Sequence, residues 1–338
     1  MVITQTPFRM SFFGGGTDYE GFYKENGGSV LSTTFDKYCF VTVQHLPRFF
    51  DYSNQVTYGI IERTKCVDEI QHPAVRNAMK YLDMHELRVA YEADLPARSG
   101  LGSSSSFAVG MLNAFYCLKG KYADKRKLAD DAIYVERVLC QESGGIQDQI
   151  AASFGGFNRI NFYDGGYDVV PVIISNERKK MLNDNLMLFF TGFSRFSSEI
   201  AISQEKATAD KKRELLEMKG LVDEAEKILV SKTDLNEFGK LLDYTWQLKR
   251  NITNKISNTD IDNLYRRGID AGAIGGKLLG AGGGGFMLFY VEKDKQMAVR
   301  EAMKDLLYVP FKFENRGTTV IYYKPEFFDI DNFKERTM

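Results

Sequence analysis

The residues best placed to do chemistry form the run Gly100-Leu101-Gly102-Ser103-Ser104-Ser105-Ser106, which leads straight into Phe107-Ala108-Val109. A loop that follows a strand and opens a helix offers unpaired backbone N–H groups and the positive end of the helix dipole, both suited to a phosphate. Glycine lets the backbone come close, and the serines add hydroxyl donors and a ligand for magnesium. The lysine of a GxxxxGK[ST] loop is missing, so a Walker-type site is not indicated. A flexible linker would not continue into an apolar helix, which favours an anion site.

Three further segments carry reactive groups. Gly280-Ala281-Gly282-Gly283-Gly284-Gly285 formally contains GxGxxG, but Phe286-Met287-Leu288-Phe289-Tyr290 continues as a strand, where a dinucleotide fingerprint needs a helix. A plain turn needs fewer glycines, and Lys277 stands just upstream. Arg9-Met10-Ser11-Phe12-Phe13-Gly14-Gly15-Gly16-Thr17-Asp18-Tyr19 joins a cation, a glycine turn and a carboxylate. Asp18 there either accepts from sugar hydroxyls or closes an Asx-turn. In Ser143-Gly144-Gly145-Ile146-Gln147-Asp148-Gln149, Asp148 either orients or deprotonates a hydroxyl, or caps a helix starting at Gln149.

The elements that must position these groups follow from periodicity. Residues 29–44 read as extended structure broken by a turn near Asp36-Lys37, 75–82 as a short helix and 87–95 as the strand entering the serine loop. Residues 107–116 are apolar on too many sides for a surface helix, so this helix is central and buried. A second helix over 125–141 carries Glu136 near its far end, and 157–172 returns to strand alternation around Gly165-Gly166. Residues 200–252 are charge-rich and helical and begin a second unit. Strands recur at 285–291 and 318–323, separated by a helical stretch over 294–307.

At 338 residues the chain exceeds what one core usually fills, so two units sharing a cleft are expected. Its 44 Lys and Arg nearly balance 45 Asp and Glu, leaving no basic field for nucleic acid. Cys39, Cys66, Cys117 and Cys140 form no CxxC pair, and His45, His72 and His85 form no cluster with them, so structural zinc is not expected. No secretory signal and no membrane-length apolar run is present, so a soluble cytoplasmic protein is expected, with no membrane partner. A homodimer stays open.

Together the four segments resemble, in order and spacing, those of the galactokinase, homoserine kinase, mevalonate kinase and phosphomevalonate kinase superfamily, the GHMP kinases. Pro96-Ala97-Arg98-Ser99-Gly100-Leu101-Gly102-Ser103-Ser104 matches the family's PxxxGLGSS loop, and Leu279-Gly280-Ala281-Gly282-Gly283-Gly284 its third glycine motif. The resemblance implies an α+β fold: an N-terminal ribosomal-protein-S5-like domain over 1–180, a C-terminal ferredoxin-like domain over 181–338, and an ATP site in the cleft. It implies that residues 100–106 with Gly282 and Gly283 bind the ATP phosphates, and that Ser104, with Ser103 beside it, and Glu136 ligate Mg²⁺. Asp148 matches the catalytic aspartate, and Arg9 the cation beside the attacking hydroxyl. The implied chemistry is γ-phosphoryl transfer to a hydroxyl by positioning and charge neutralisation.

Galactokinases carry Gly-Glu-His before Thr-Asp-Tyr where this chain has Gly14-Gly15-Gly16, so two galactose contacts are missing while Asp18 remains. Residues 12–19 and 31–38 look like the bacterial D-glycero-D-manno-heptose 7-phosphate kinases, which phosphorylate the anomeric hydroxyl for GDP-heptose and for capsule or lipopolysaccharide synthesis. That likeness implies a sugar phosphate substrate held by Gly15, Gly16, Thr17 and Asp18. The substrate's own phosphate needs a cationic seat, for which Arg98, Arg195 and Lys277 are the candidates. Another sugar, as in fucokinases or galactokinases, and a non-catalytic sensor of the same fold are the rivals. Arg9, Glu136 and Asp148 together argue against the sensor.

Overall fold

The computed structural model describes residues 1–97, 99–192, 197–207 and 210–324. The chain opens with β1 (Val2–Phe13), α1 (Glu20–Asn26), β2 (Gly28–His45), β3 (Asn54–Thr57), β4 (Ile61–Thr64), α2 (Pro73–Tyr81) and β5 (Leu87–Ala93). Then come α3 (Ser103–Leu118), α4 (Lys125–Ile133), a π-helical turn (Tyr134–Leu139), α5 (Gln147–Phe154) and the hairpin β6 (Phe157–Tyr163) with β7 (Gly166–Pro171). Next are α6 (Asn176–Asp184), β8 (Leu186–Phe190), α7 (Ser197–Ala207), α8 (Lys212–Val230), α9 (Asn236–Arg250) and α10 (Thr259–Asp270). Last are β9 (Gly275–Leu278), β10 (Phe286–Tyr290), α11 (Gln296–Ala302), β11 (Leu307–Tyr308), β12 (Phe313–Glu314) and β13 (Thr319–Tyr323).

Among the described residues these strands form two sheets. The larger runs β13-β1-β2-β5-β3-β4, with β6, β7 and β12 attached through β2, and the smaller runs β11-β8-β10-β9. Residues 2–13 show no clean alternation because β1 is buried along most of its length, with α3, α8 and α9 all packed against it. The turn expected at Asp36-Lys37 is a bulge inside one continuous strand: Pro7 pairs with Tyr38 and Phe8 with Phe35, so two residues of β2 loop out. At that point β2 exchanges its neighbours β6 and β12 for β5.

As expected, α3 is central and buried from Ser105 to Tyr116. A side chain at Gly110 would come within 2.6 Å of Thr6 Oγ1, and Thr4 Oγ1 donates to the Gly110 carbonyl at 2.9 Å, so glycine lets α3 lie directly on β1. This contact sets the start of α3 beside Arg9. The division expected at residue 180 is crossed late in the chain, because β12 pairs with β2 and β13 with β1. A shared core crosses it as well: Phe12 and Phe13 of β1 stack edge-on against Phe238 of α9, with centroids 5.4 and 5.0 Å apart.

Candidate active site

β1, α3 and α5 converge on one point. Arg9 Nε and Nη2 each donate to one oxygen of Asp148 at 2.7 Å, its Nη1 donates to Gly100 O at 2.8 Å, and its backbone N–H to Leu101 O at 3.1 Å. The planar fork thus ties the carboxylate to the loop that opens α3. Gly102 precedes the helix with φ +74°, and a side chain there would sit 3.3 Å from both Arg9 Cγ and Asp148 Oδ2. Arg9 is buried and the Asp148 side chain is 23% exposed, so the carboxylate keeps some access to solvent.

Asp148 does not cap a helix, because α5 begins before it, at Gln147. The carboxylate serving that helix start is Asp18, which accepts from the backbone N–H of Gln147 at 3.3 Å and of Gly16 at 3.0 Å. Asp18 is buried, and its pKa is raised first by that burial and then by the charge of Asp148, while the two amides pull it back. Gly145 has to be glycine, since a side chain would fall 1.8 Å from Asp18 Oδ2. Thr17 departs from its expected sugar-binding role: its hydroxyl donates toward Gly14 O and Ser29 O and accepts from Ser29 N, which pins the turn from inside. Gly15 opens on Ser11 Oγ and Gln147 Nε2, 3.7 and 3.8 Å from where its side chain would begin, and Gly16 takes φ +106°. Ser11 Oγ and Gln147 Oε1 are buried without a partner.

The helix expected over 125–141 changes character at Tyr134, where the backbone widens into a π turn. Insertions of this kind swing a side chain out of its α-helical direction and occur at functional sites. Here Glu136, 1% exposed, accepts from Ser104 Oγ and Ser105 Oγ at 2.8 Å each and from Gln149 Nε2 at 2.5 Å. Ser103 begins α3 and is buried, and Ser106 donates to Pro7 O at 3.0 Å, holding α3 to β1. Among the described residues no group of three or more His, Cys, Asp or Glu forms a metal centre by itself. A cation at Ser104 and Glu136 would have to draw its remaining ligands from phosphate and water, as Mg²⁺ does.

The second glycine run is a packing surface for the first. A side chain at Gly280 would lie 2.3 Å from Gly100 Cα, and one at Gly285 2.2 Å from Ser99 O. Gly282 takes φ +124° against Ile256, and the Gly283 N–H donates to Ile256 O at 2.9 Å, so that amide is not offered to a phosphate. Lys277 is no seat for a substrate phosphate. Its ammonium is buried and donates to Phe12 O at 2.7 Å, and burial, then Lys249 and Arg9, push its pKa well below the ordinary value. Arg98 and Arg195 lie outside the described residues.

Two residues escape reading from sequence. Gln149 completes the Glu136 cluster, and Lys249 of α9 is buried with its Nζ donating to Gly280 O. The available signal for Lys249 is its place on a helix face otherwise formed by Phe238, Leu242, Thr245 and Trp246, where a lysine needs a reason to be buried.

Residues 68–156 match the GHMP kinases N terminal domain, and residues 221–309 match GHMP kinases C terminal. The chain is 30% identical to the D-glycero-alpha-D-manno-heptose 7-phosphate kinase of Campylobacter jejuni subsp. jejuni serotype O:2, over 93% of this chain and 97% of that protein. It is 24% identical to the galactokinase of Pyrococcus furiosus, over 89% and 92%. The structure of a D-glycero-D-manno-heptose 1-phosphate kinase from Bacteriodes thetaiotaomicron superposes with a TM-score of 0.78 at 22% identity, covering 96% of this chain and 100% of that one, a likeness of fold.

Proposed function

This chain belongs to the GHMP kinases, ATP-dependent phosphotransferases acting here on a sugar hydroxyl, and from that premise we propose that it phosphorylates the anomeric hydroxyl of D-glycero-D-manno-heptose 7-phosphate. The observation that supports the substrate is Gly15, a residue without a side chain beside Ser11 and Gln147 in the turn that carries Asp18. A glutamate or histidine side chain in that turn would stand in the way of a sugar longer than a hexose, and glycine would not. The 1,7-bisphosphate formed would enter GDP-heptose and surface-polysaccharide synthesis, in the cytoplasm where ATP is made.

ATP would lie between the N-terminal unit of residues 1–180 and the C-terminal unit of 181–338, its phosphates against the start of α3. The loop amides of 100–106, the helix dipole and the Ser104 hydroxyl would meet the phosphate charge. Ser104 and Glu136 offer the hard oxygen donors that Mg²⁺ takes, and a bound Mg²⁺ would neutralise the phosphate oxygens. Asp148, fixed by the Arg9 fork, would hold the sugar hydroxyl in line and receive its proton. Its bidentate pairing with Arg9 fixes the orientation of the carboxylate, which suits it to positioning the hydroxyl. Asp18, close enough to feel the charge of Asp148, would accept from a neighbouring sugar hydroxyl.

ADP release is the test. Heptose 7-phosphate should exceed galactose, fucose and unphosphorylated heptose in kcat/KM by roughly 10⁴-fold, the discrimination expected when a buried polar site loses a partner. Comparable turnover of a free sugar would overturn the phospho-substrate and favour a fucokinase- or galactokinase-like role.

A further inference from the structure

Arg9 is the family-type cation of this centre, and three of its five N–H donors are already engaged. Nε and Nη2 face Asp148 and Nη1 faces Gly100 O. A phosphoryl group moving between the α3 loop and Asp148 would find at most two further N–H groups on Arg9, so a second cation beside it would add to the charge stabilisation.

Lys249 reaches the same place from the other unit. It stands in the last turn of α9, buried, and donates one proton of its ammonium to Gly280 O. Gly280 lies against Gly100, whose carbonyl is the one that Arg9 Nη1 holds, so Lys249 and Arg9 grip two adjoining glycine loops. An ammonium carries three protons, and Gly280 takes one. The charged groups facing it are Arg9 of β1, Asp18 of the turn after β1, Asp148 of α5 and Lys277 of β9. Lys277 is occupied by Phe12 O and lies deeper. A lysine needed only to hold one carbonyl would be a costly choice at a buried position, because taking an ammonium out of water is unfavourable unless charge returns the loss. The acids facing it are Asp18 and Asp148, and Asp148 is already paired with Arg9.

We propose that Lys249 is a further catalytic residue, its ammonium donating to the phosphoryl group in flight between ATP and the sugar hydroxyl. This rests on the phosphotransfer reading above. In the step, the bond from the γ-phosphorus to the β–γ bridging oxygen breaks and a bond from the sugar oxygen forms. The hydroxyl proton passes to Asp148 and ADP leaves with the bridging electron pair. Lys249 donates hydrogen bonds throughout and transfers no proton.

Burial, then the charge of Arg9, lowers the Lys249 ammonium to about 8, against the opposing pull of Asp18 and Asp148. Because the role needs the charged form, wild-type kcat/KM should hold below that pH and fall as pH rises through about 8. Lys249→Met should lower kcat roughly 10²- to 10³-fold, the range seen for one lost transition-state donor, with KM for ATP changed by less than about threefold. Lys249→Arg should recover part of the loss, and the residual activity of Lys249→Met should lack the alkaline limb. A Lys249→Met enzyme with kcat within about threefold of wild type would overturn the proposal, as would an alkaline limb that persists in the variant. A wild type flat through pH 8 to 10 would also overturn it and requires no variant to fold. The variants are compared on whichever sugar the wild type turns over, so failure with heptose 7-phosphate defeats the substrate assignment and leaves this test intact.

Discussion

At the scale of single residues, the centre is a set of charges that only partly cancel. Asp148→Asn keeps the size of the side chain but removes the charge, the proton acceptor and one of the two acceptors that Arg9 holds. Turnover should drop by roughly 10²- to 10⁴-fold while ATP affinity, measured by calorimetry, stays near wild type. Near-normal turnover would remove Asp148 from the reaction. Lys249 makes an opposite prediction for stability. Its folded pKa of about 8 lies below the ordinary 10.5, so between those values the unfolded chain binds more protons and stability should climb with pH. Below about 8 the whole cost remains, on the order of 3 kcal/mol. Lys249→Met should therefore melt above wild type at pH 7 while losing activity, and a lower melting temperature would contradict that cost. A residue that weakens the fold and serves the reaction is the usual trade at an active site.

At the scale of elements, two devices set the geometry: the π turn that aims Glu136 and the contact between the two glycine loops. Gly280 takes φ +79°, and its missing side chain is what allows the approach to Gly100. Gly280→Ala should cost at least ~2 kcal/mol in urea unfolding and, on the proposed ATP site, should also raise KM for ATP, because the loop that opens α3 is displaced. Unchanged stability and KM would show that the loops can part. These devices also mark where sequence reading stops. The loop at 100–106, the buried α3 and the hairpin at Gly165-Gly166 are legible, since each is written in contiguous residues with a known physical meaning. The π turn is not, because Leu128, Ala132, Val135 and Leu139 keep a helical spacing through it while the backbone widens. Nor is the duty of Thr17 or Lys277, whose partners are backbone carbonyls that no side-chain pattern announces.

At the scale of the molecule, the two sheets are less separable than a division at residue 180 suggests. β12 and β13 come from the far end of the sequence, yet they complete the first sheet, and the Met1 ammonium donates to Lys324 O at 2.7 Å. A chain stopped after residue 180 would leave one edge of β1 bare and strip Phe12 and Phe13 of their packing against Phe238. It should lack a cooperative thermal transition and should bind no ATP, and a sharp transition with retained binding would mean that the first unit folds alone. The strand order was not legible either: 318–323 reads as a strand, but which edge it joins depends on contacts more than 300 residues apart. That separation governs the molecule's birth. At roughly 5–20 residues per second, β1 waits tens of seconds on the ribosome before β13 is made. Through that interval its edge stands open to other nascent chains. A kinase built this way should depend on chaperone shelter during synthesis more than its finished stability would indicate.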